Sequence, residues 1–335
     1  MRGKIKIQIK NRHITFNFTL ERNVTILTGD SGTGKTKLIN MVRNYSELGE
    51  QSGVTLKCSK PCLVLSNANW ETILENTHES IVFVEESTQF LSSYEFAKAI
   101  QGSDNYYVLV TREPLAQIPY SIDAIRKIHK NGAKPKFEKI YKNISKKDIS
   151  AFPYDIVIVE DSRSGLQFFK KATEDRDLEC ISSNGKSGIV KLLEQHKGKR
   201  ILVIADAAAL GSEIKVLMYL KSVSNNKIDL FLPESFEWLI LRSAIFDRND
   251  NVQEILADPA EHIDCENYFS WERFFTALLV AETNGRTNLE YHENKSHIPS
   301  GYLSEQNIYS ILNAMKKIYH LEKITKKEFK QLILT

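Results

Sequence analysis

Val24-Thr25-Ile26-Leu27-Thr28-Gly29-Asp30-Ser31-Gly32-Thr33-Gly34-Lys35-Thr36 is the stretch from which the first part of the chain is read. Val24 to Leu27 is a short apolar run of strand type, a glycine-punctuated segment follows it, and Lys37 to Val42 has helical spacing. Gly29 to Thr36 fits the pattern G-x-x-x-x-G-K-[ST]. Glycines let the backbone wrap closely, so that successive N–H groups and the following helix N-terminus face an anion with no Cβ atoms between. Gly29, Asp30, Ser31, Gly32, Thr33 and Gly34 would form that cradle, with Lys35 reaching the β/γ phosphates and the Thr36 hydroxyl ligating Mg²⁺. The expected ligand is ATP or a related nucleoside triphosphate. The bare pattern arises by chance on the order of once in a hundred chains of this length, before the strand and helix around it are required.

Working outward, Ile5 to Ile9 and His13 to Phe18 alternate as a half-buried hairpin does. Further buried-strand runs stand at Leu63 to Leu65, Ile81 to Val84 and Tyr107 to Val110, with helical segments between. That order predicts an α/β domain with a mostly parallel sheet. Ile81-Val82-Phe83-Val84-Glu85-Glu86 ends a strand in two carboxylates and resembles a Walker B element, with Glu85 where Asp is usual. The resemblance implies that Glu85 serves the Mg²⁺ shell and Glu86 activates water. Thr111-Arg112 takes the place where many P-loop ATPases keep a polar sensor, and no ABC-type signature lies between the motifs. Arg126, Lys127, Lys130, Lys134, Lys136, Lys139, Lys142, Lys146 and Lys147 then form a basic stretch, read as a solvated connecting face in preference to a nucleic-acid contact. The first domain boundary falls at its end, after residue 148.

A second strand series runs through Ile156 to Val159, Glu179 to Ser182, Ile201 to Ile204 and Ile228 to Leu232. Glu160 follows the first of these and Asp206 the third, at the carboxyl edge where open α/β sheets place ligands. Between them Ser183-Asn184-Gly185-Lys186-Ser187-Gly188 reads as a glycine turn into a helix. Over roughly residues 150 to 232 this order resembles the Toprim domain of topoisomerases, bacterial primases and the overcoming-lysogenization-defect (OLD) nucleases. Joined to an N-terminal P-loop domain, it looks like a shortened OLD-type pairing of ATPase and Toprim. The resemblance implies a general-base role for Glu160, and makes Asp206 and Gly211 the first Asp and the Gly of D-x-D-x-x-G. Glu160 and Asp206 would then hold Mg²⁺ for phosphodiester cleavage. Ala208 stands where the second Asp belongs, so metal binding should be weak unless Asp161, Asp155 or Glu213 substitutes.

From Pro233 onward the pattern turns helical, with Phe236, Leu239, Ile240 and Ala244 on one stripe and Ile308, Ile311, Leu312 and Met315 on another. Three parts are therefore expected: a P-loop NTPase domain over 1–148, a Toprim-like α/β domain over 149–232 and a helical extension over 233–335. With 335 residues and 42% apolar side chains the chain is long enough for more than one core. It lacks an apolar run of membrane-spanning length, and Met1 to Lys4 leads into a strand, which fits a cytoplasmic protein without a membrane partner. Four cysteines form no disulfide framework, and Cys58-x3-Cys62, His262-x-x-Cys265 and the run His292 to His297 read as structural or surface residues. The aromatic run Tyr268, Phe269, Trp271, Phe274 and Phe275 reads as helix core. Two functions follow from the resemblance. One is an ATPase joined to a metal-dependent nuclease acting on nucleic acid, by similarity in anti-phage defence. The other is a regulatory scaffold whose Toprim-like part no longer cuts, controlling a protein partner or its own oligomer.

Overall fold

In the computed structural model, which describes residues 1–130, 132–141, 143–145, 152–315 and 320–321, the chain is a mixed α/β protein with several sheets. It divides into two compact units, one of residues 1–140 with 258–270 and one of 141–257 with 271–335. No helix among the described residues is long and apolar enough to cross a membrane.

In the first unit β1 (Ile5–Lys10) and β2 (Thr15–Leu20) form the expected antiparallel hairpin, extended by β4 (Thr55–Lys57). Ile5, Ile7 and Ile9 point inward and Lys6 and Lys10 outward, as a period of two requires. The larger sheet has the order β5-β6-β7-β3-β8-β9, from Cys62–Leu65, Ile81–Val84, Tyr106–Val110, Val24–Thr28, Ile125–His129 and Lys136–Lys139. All neighbours are parallel except β8 with β9. β6 and β7 are buried at every position, the pattern of strands covered on both faces. Helix α1 (Lys35–Leu48) sends Leu38, Ile39 and Val42 into one core with both sheets, and α2 (Trp70–Glu75) and α3 (Tyr94–Gln101) complete the unit.

The basic stretch is more ordered than a connecting face. Ile125 and Ile128 are buried while Arg126 and Lys127 are half-exposed, so charge hides a strand; β9 follows as a lysine-bearing edge, which discourages further pairing. Lys142, Lys146 and Lys147 lie outside the described residues.

In the second unit β11 (Ile156–Val159), β12 (Glu179–Ser182), β13 (Arg200–Ile204) and β14 (Lys227–Phe231) form a fully parallel sheet of order β12-β11-β13-β14. Helices α4 (Ser164–Thr173), α5 (Lys186–Gln195) and α6 (Ile214–Val223) make the crossovers. β10 (Asn143–Ser145) pairs with β15 (His320–Leu321). The helices beyond residue 233, α7 (Phe236–Leu241), α8 (Asp250–Ala257), α9 (Trp271–Thr283) and α10 (Glu305–Met315), join this unit where a separate extension was expected. The reason is apolar burial: Leu239, Ile240, Phe275, Leu279, Ile311 and Met315 are at most 0% exposed. Ala244 lies beyond α7 and is exposed. Residues 258–270 instead return to the first unit, where Gly3 N donates to Ala260 O at 2.8 Å and Cys265 N to Met1 O at 3.0 Å. Tyr268 and Phe269 of the aromatic run therefore precede α9.

Candidate functional site

β3 delivers the chain to Gly29, and the turn to α1 passes through Gly32 at φ 73° and Gly34 at φ 109°, a left-handed backbone that glycine adopts without a Cβ clash. Lys35 is the first residue of α1 and 6% exposed. Its amine folds back to donate to the carbonyls of Gly29 and, at 2.8 Å, of Asp30. Thr33 Oγ1 donates to Asp30 O at 3.1 Å, and Leu38 N donates to Gly34 O at 2.9 Å as the helix begins. Burial, and secondarily the positive charge of Arg112, pull the Lys35 pKa below its ordinary value. The loop borders a cavity of about 600 Å³, shared with Thr36, Glu85, Glu86, Ser87 and Arg112. Nucleotide-sized pockets fall in this range.

The two carboxylates after β6 are not equivalent. Glu85 is half-buried, and its Oε2 accepts from Arg43 Nη2 of α1 at 3.0 Å. Glu86 is exposed at the cavity, 3.3 Å from Arg112 Nε. β7 lies between β3 and β6, so residues leaving β7 stand between the loop and these carboxylates. Thr111 does not present a free hydroxyl there: it closes a turn, accepting from Glu113 N at 3.1 Å and donating to Glu113 O at 2.9 Å. Arg112 reaches the site in its place, donating from Nη2 to Ser31 Oγ at 2.9 Å. Arg43, two turns along α1, has no signal in the motif.

In the second unit β11 and β13 are neighbours in register, Val159 opposite Ile204, so Glu160 and Asp206 leave the same edge side by side. Asp206 N donates to Glu160 Oε2 at 3.0 Å. Burial raises both carboxyl pKa values; beside it, Glu272, Glu160 and Glu237 act on Asp206, and Glu272 and Asp161 on Glu160. The hollow beside them is about 10 Å³, room for one water-sized occupant.

The expected substitutes for the acid missing at Ala208 are committed elsewhere. Asp161 accepts from the backbone N of Arg163 at 2.9 Å and of Gly165 at 2.6 Å, holding the start of α4. Asp155 lies at the opposite edge of the sheet and pairs with Arg200 at 2.7 Å, whose hydrogen bonds hold its pKa at about 2. Glu213 accepts from Ser212 Oγ at 3.0 Å and lies 3.9 Å from Lys186.

What does converge on Asp206 comes from the helical segments. Ser235 caps α7 through Trp238 N at 3.1 Å, and two residues on Glu237 is 1% exposed. Glu237 Oε1 accepts from Tyr291 Oη at 2.8 Å and lies 3.2 Å from Lys295 Nζ, while its Oε2 is buried without a hydrogen-bond partner. Glu272, in the first turn of α9, binds Lys295 Nζ at 2.8 Å. Lys295 holds φ 51°, a left-handed conformation that costs a lysine about 1–2 kcal/mol, and its carbonyl accepts from Ser164 N at 3.2 Å. Burial works against its charge, but Glu237, Glu272 and Asp206 outweigh it and raise the ammonium pKa above the ordinary lysine value. Glu237, Glu272, Tyr291 and Lys295 stand at no regular spacing in the sequence; the one hint was an acid soon after a strand end, at Glu237.

Among the described residues no three His, Cys, Asp or Glu side chains are grouped to hold an ion. Glu160 and Asp206 are the two carboxylates at this edge, with the Lys295 ammonium paired to Glu237 and Glu272 beside them. The sequence matches no protein-family profile and no curated protein.

Proposed function

We propose that the protein binds and hydrolyses ATP at the 29–36 loop and that its second unit is a Toprim-like phosphodiesterase domain acting on nucleic acid. The observation that carries the first part is Lys35, its ammonium held on loop carbonyls at the rim of a cavity of about 600 Å³ that also receives Glu86 and Arg112. A phosphate entering there would take the Lys35 ammonium from the neutral carbonyls, because a charge-assisted bond is the stronger. Thr36 would hold the Mg²⁺ accompanying the nucleotide, and that ion supplies charge neutralisation at the β and γ oxygens. Glu85, tied to Arg43, supports the metal shell from behind, and Glu86 orients the attacking water.

In the second unit Glu160 and Asp206 would hold a single Mg²⁺, which supplies Lewis-acid stabilisation of the phosphodiester. Glu160, whose pKa burial raises, would accept a proton from the attacking water. A role in anti-phage defence rests on the OLD-type resemblance. The contrasting reading, a scaffold that controls a partner or its own oligomer, is favoured by Ala208 and by the commitment of Glu237 and Glu272 to Lys295.

The test pairs two assays on the full chain. Phosphate release from ATP should fall at least tenfold, about 1.4 kcal/mol, in Glu86→Gln with ATP binding kept. Mn²⁺-dependent oligonucleotide cleavage should be present in wild type and lost in Glu160→Ala. Phosphate release without cleavage would establish the scaffold reading, and cleavage unchanged in Glu160→Ala would reject this site.

A further inference from the structure

Arg112 sits within the turn that Thr111 closes on Glu113, and the strand it leaves lies between the phosphate-loop strand and the strand ending in Glu85 and Glu86. From there its guanidinium spans the cavity mouth. Nη2 donates to Ser31 Oγ at 2.9 Å, and Nε lies 3.3 Å from Glu86 Oε1. Its charge is also felt at Lys35, so two cations face one hollow with the N-terminus of the 14-residue α1. A third, Lys37 of α1, also lines the cavity. Converging positive charge of this kind is relieved by an anion among the cations.

The Arg112–Glu86 pair is built to be exchanged. Its side chains are 51% and 39% exposed, so water screens it and it is weakly held. A terminal phosphate offers the planar guanidinium two charge-assisted bonds at once, which one carboxylate oxygen at 3.3 Å does not.

We propose that Arg112 is the catalytic arginine that recognises the γ-phosphate, exchanging Glu86 for it and so releasing Glu86 to orient the attacking water. The proposal rests on the reading of the loop as a nucleoside-triphosphate site. In the step it serves, the water oxygen forms a bond to the γ-phosphorus and the bond to the β–γ bridging oxygen breaks. The electron pair leaves with the diphosphate, and the water proton passes through Glu86 to the phosphate product. Arg112 carries the charge on the transferring group, as arginines supplied within one chain or by a partner do in other nucleotide hydrolases.

The experiment measures ATP and ADP affinity by calorimetry, and turnover by phosphate release, in wild type, R112A and R112K. Thermal unfolding of each variant shows that it is folded. Expected are an R112A loss in ATP affinity of about tenfold or more with ADP affinity within about twofold, and a turnover loss of about a hundredfold or more. R112K should recover only part of the turnover, because an ammonium cannot make the paired bonds. Equal weakening of ATP and ADP would overturn the proposal, leaving Arg112 as a support for the loop. A faster R112A would overturn it too, making the arginine a restraint on Glu86. Wild type that binds ADP but no ATP would reject γ-phosphate recognition alone. Wild type that binds neither nucleotide would reject the site reading together with this proposal.

Discussion

Replacing Lys295 by methionine removes the cation from a place where Glu237 has almost no water. The ammonium lies 3.2 Å from Glu237 Oε1 and 2.8 Å from Glu272 Oε1, and Glu237 itself is 1% exposed. After the change Glu237 keeps the hydrogen bond from Tyr291 Oη at 2.8 Å, and its Oε2 still has none. Removing one member of a buried pair costs about 3–5 kcal/mol, because the surviving charge is uncompensated. Glu272 is 31% exposed and adds less than about 1 kcal/mol. Against a usual stability of about 5–15 kcal/mol this is a large fraction. The cost comes mainly from the stranded Glu237 charge, so K295M/E237Q should be more stable than K295M by about 1–2 kcal/mol. Urea unfolding at pH 7.5, followed by Trp238 and Trp271 fluorescence, reads both. Lys295 has a raised folded pKa, so its contribution is full below the unfolded lysine value near ~10.4 and lost only as pH rises through the folded value. The difference between wild type and K295M should therefore persist to pH 10. A K295M loss under about 1 kcal/mol, or a double variant destabilised by the sum of its singles, would refute the reasoning.

Asp206, pushed up by burial and then by Glu272, Glu160 and Glu237, keeps a proton in the fold that the unfolded chain has released. Stability then falls as pH rises from the ordinary carboxylate range near ~4 through the raised value, so D206N should show a shallower fall in its urea midpoint and exceed wild type at pH 7.5. Identical pH profiles would contradict it. A Cβ on Gly188 would lie 2.0 Å from Ser183 O, whereas one on Gly198, at φ 80°, meets nothing within 4 Å. G188A should thus lose about 3 kcal/mol or more by overpacking, and G198A only about 1–2 kcal/mol for its left-handed backbone. Thermal unfolding of the two variants gives the order, and the reverse order would show that the turn after β12 relaxes around the added methyl.

The regular parts of the fold were legible because both sheets are built from apolar runs between glycine turns. Val24–Leu27, Ile81–Val84, Ile156–Val159 and Ile201–Ile204 each lie within a strand, since burial on both faces leaves Thr25 as their one polar residue. β8 and β9 were hidden because Arg126, Lys127, Lys136 and Lys139 interrupt the apolar signal on an edge hairpin, where only Ile125 and Ile128 need burial. The loop from Gly29 to Thr36 could be read residue by residue, because local backbone geometry dictates its composition. The cluster at the second sheet could not. Glu160 and Asp206 end strands and were visible, but Glu237, Glu272 and Lys295 reach them from three separate helical and loop segments. Their meeting depends on how those segments pack on the sheet, which no short spacing encodes. The return of residues 258–270 to the first unit was hidden for the same reason, being fixed by distant partners such as Met1, Gly3 and Asn23.

The most direct measurement of the central claim is calorimetric titration of the full chain with Mg²⁺ and ATP, in wild type and in Lys35→Ala. Lys35 is the cation held on the carbonyls of Gly29 and Asp30 within the loop itself. Its removal should weaken ATP binding tenfold or more, about 1.4 kcal/mol, with the fold intact by circular dichroism. Equal affinities for the two proteins, or no binding to wild type, would contradict the assignment of Gly29 to Thr36 as a nucleotide-phosphate site.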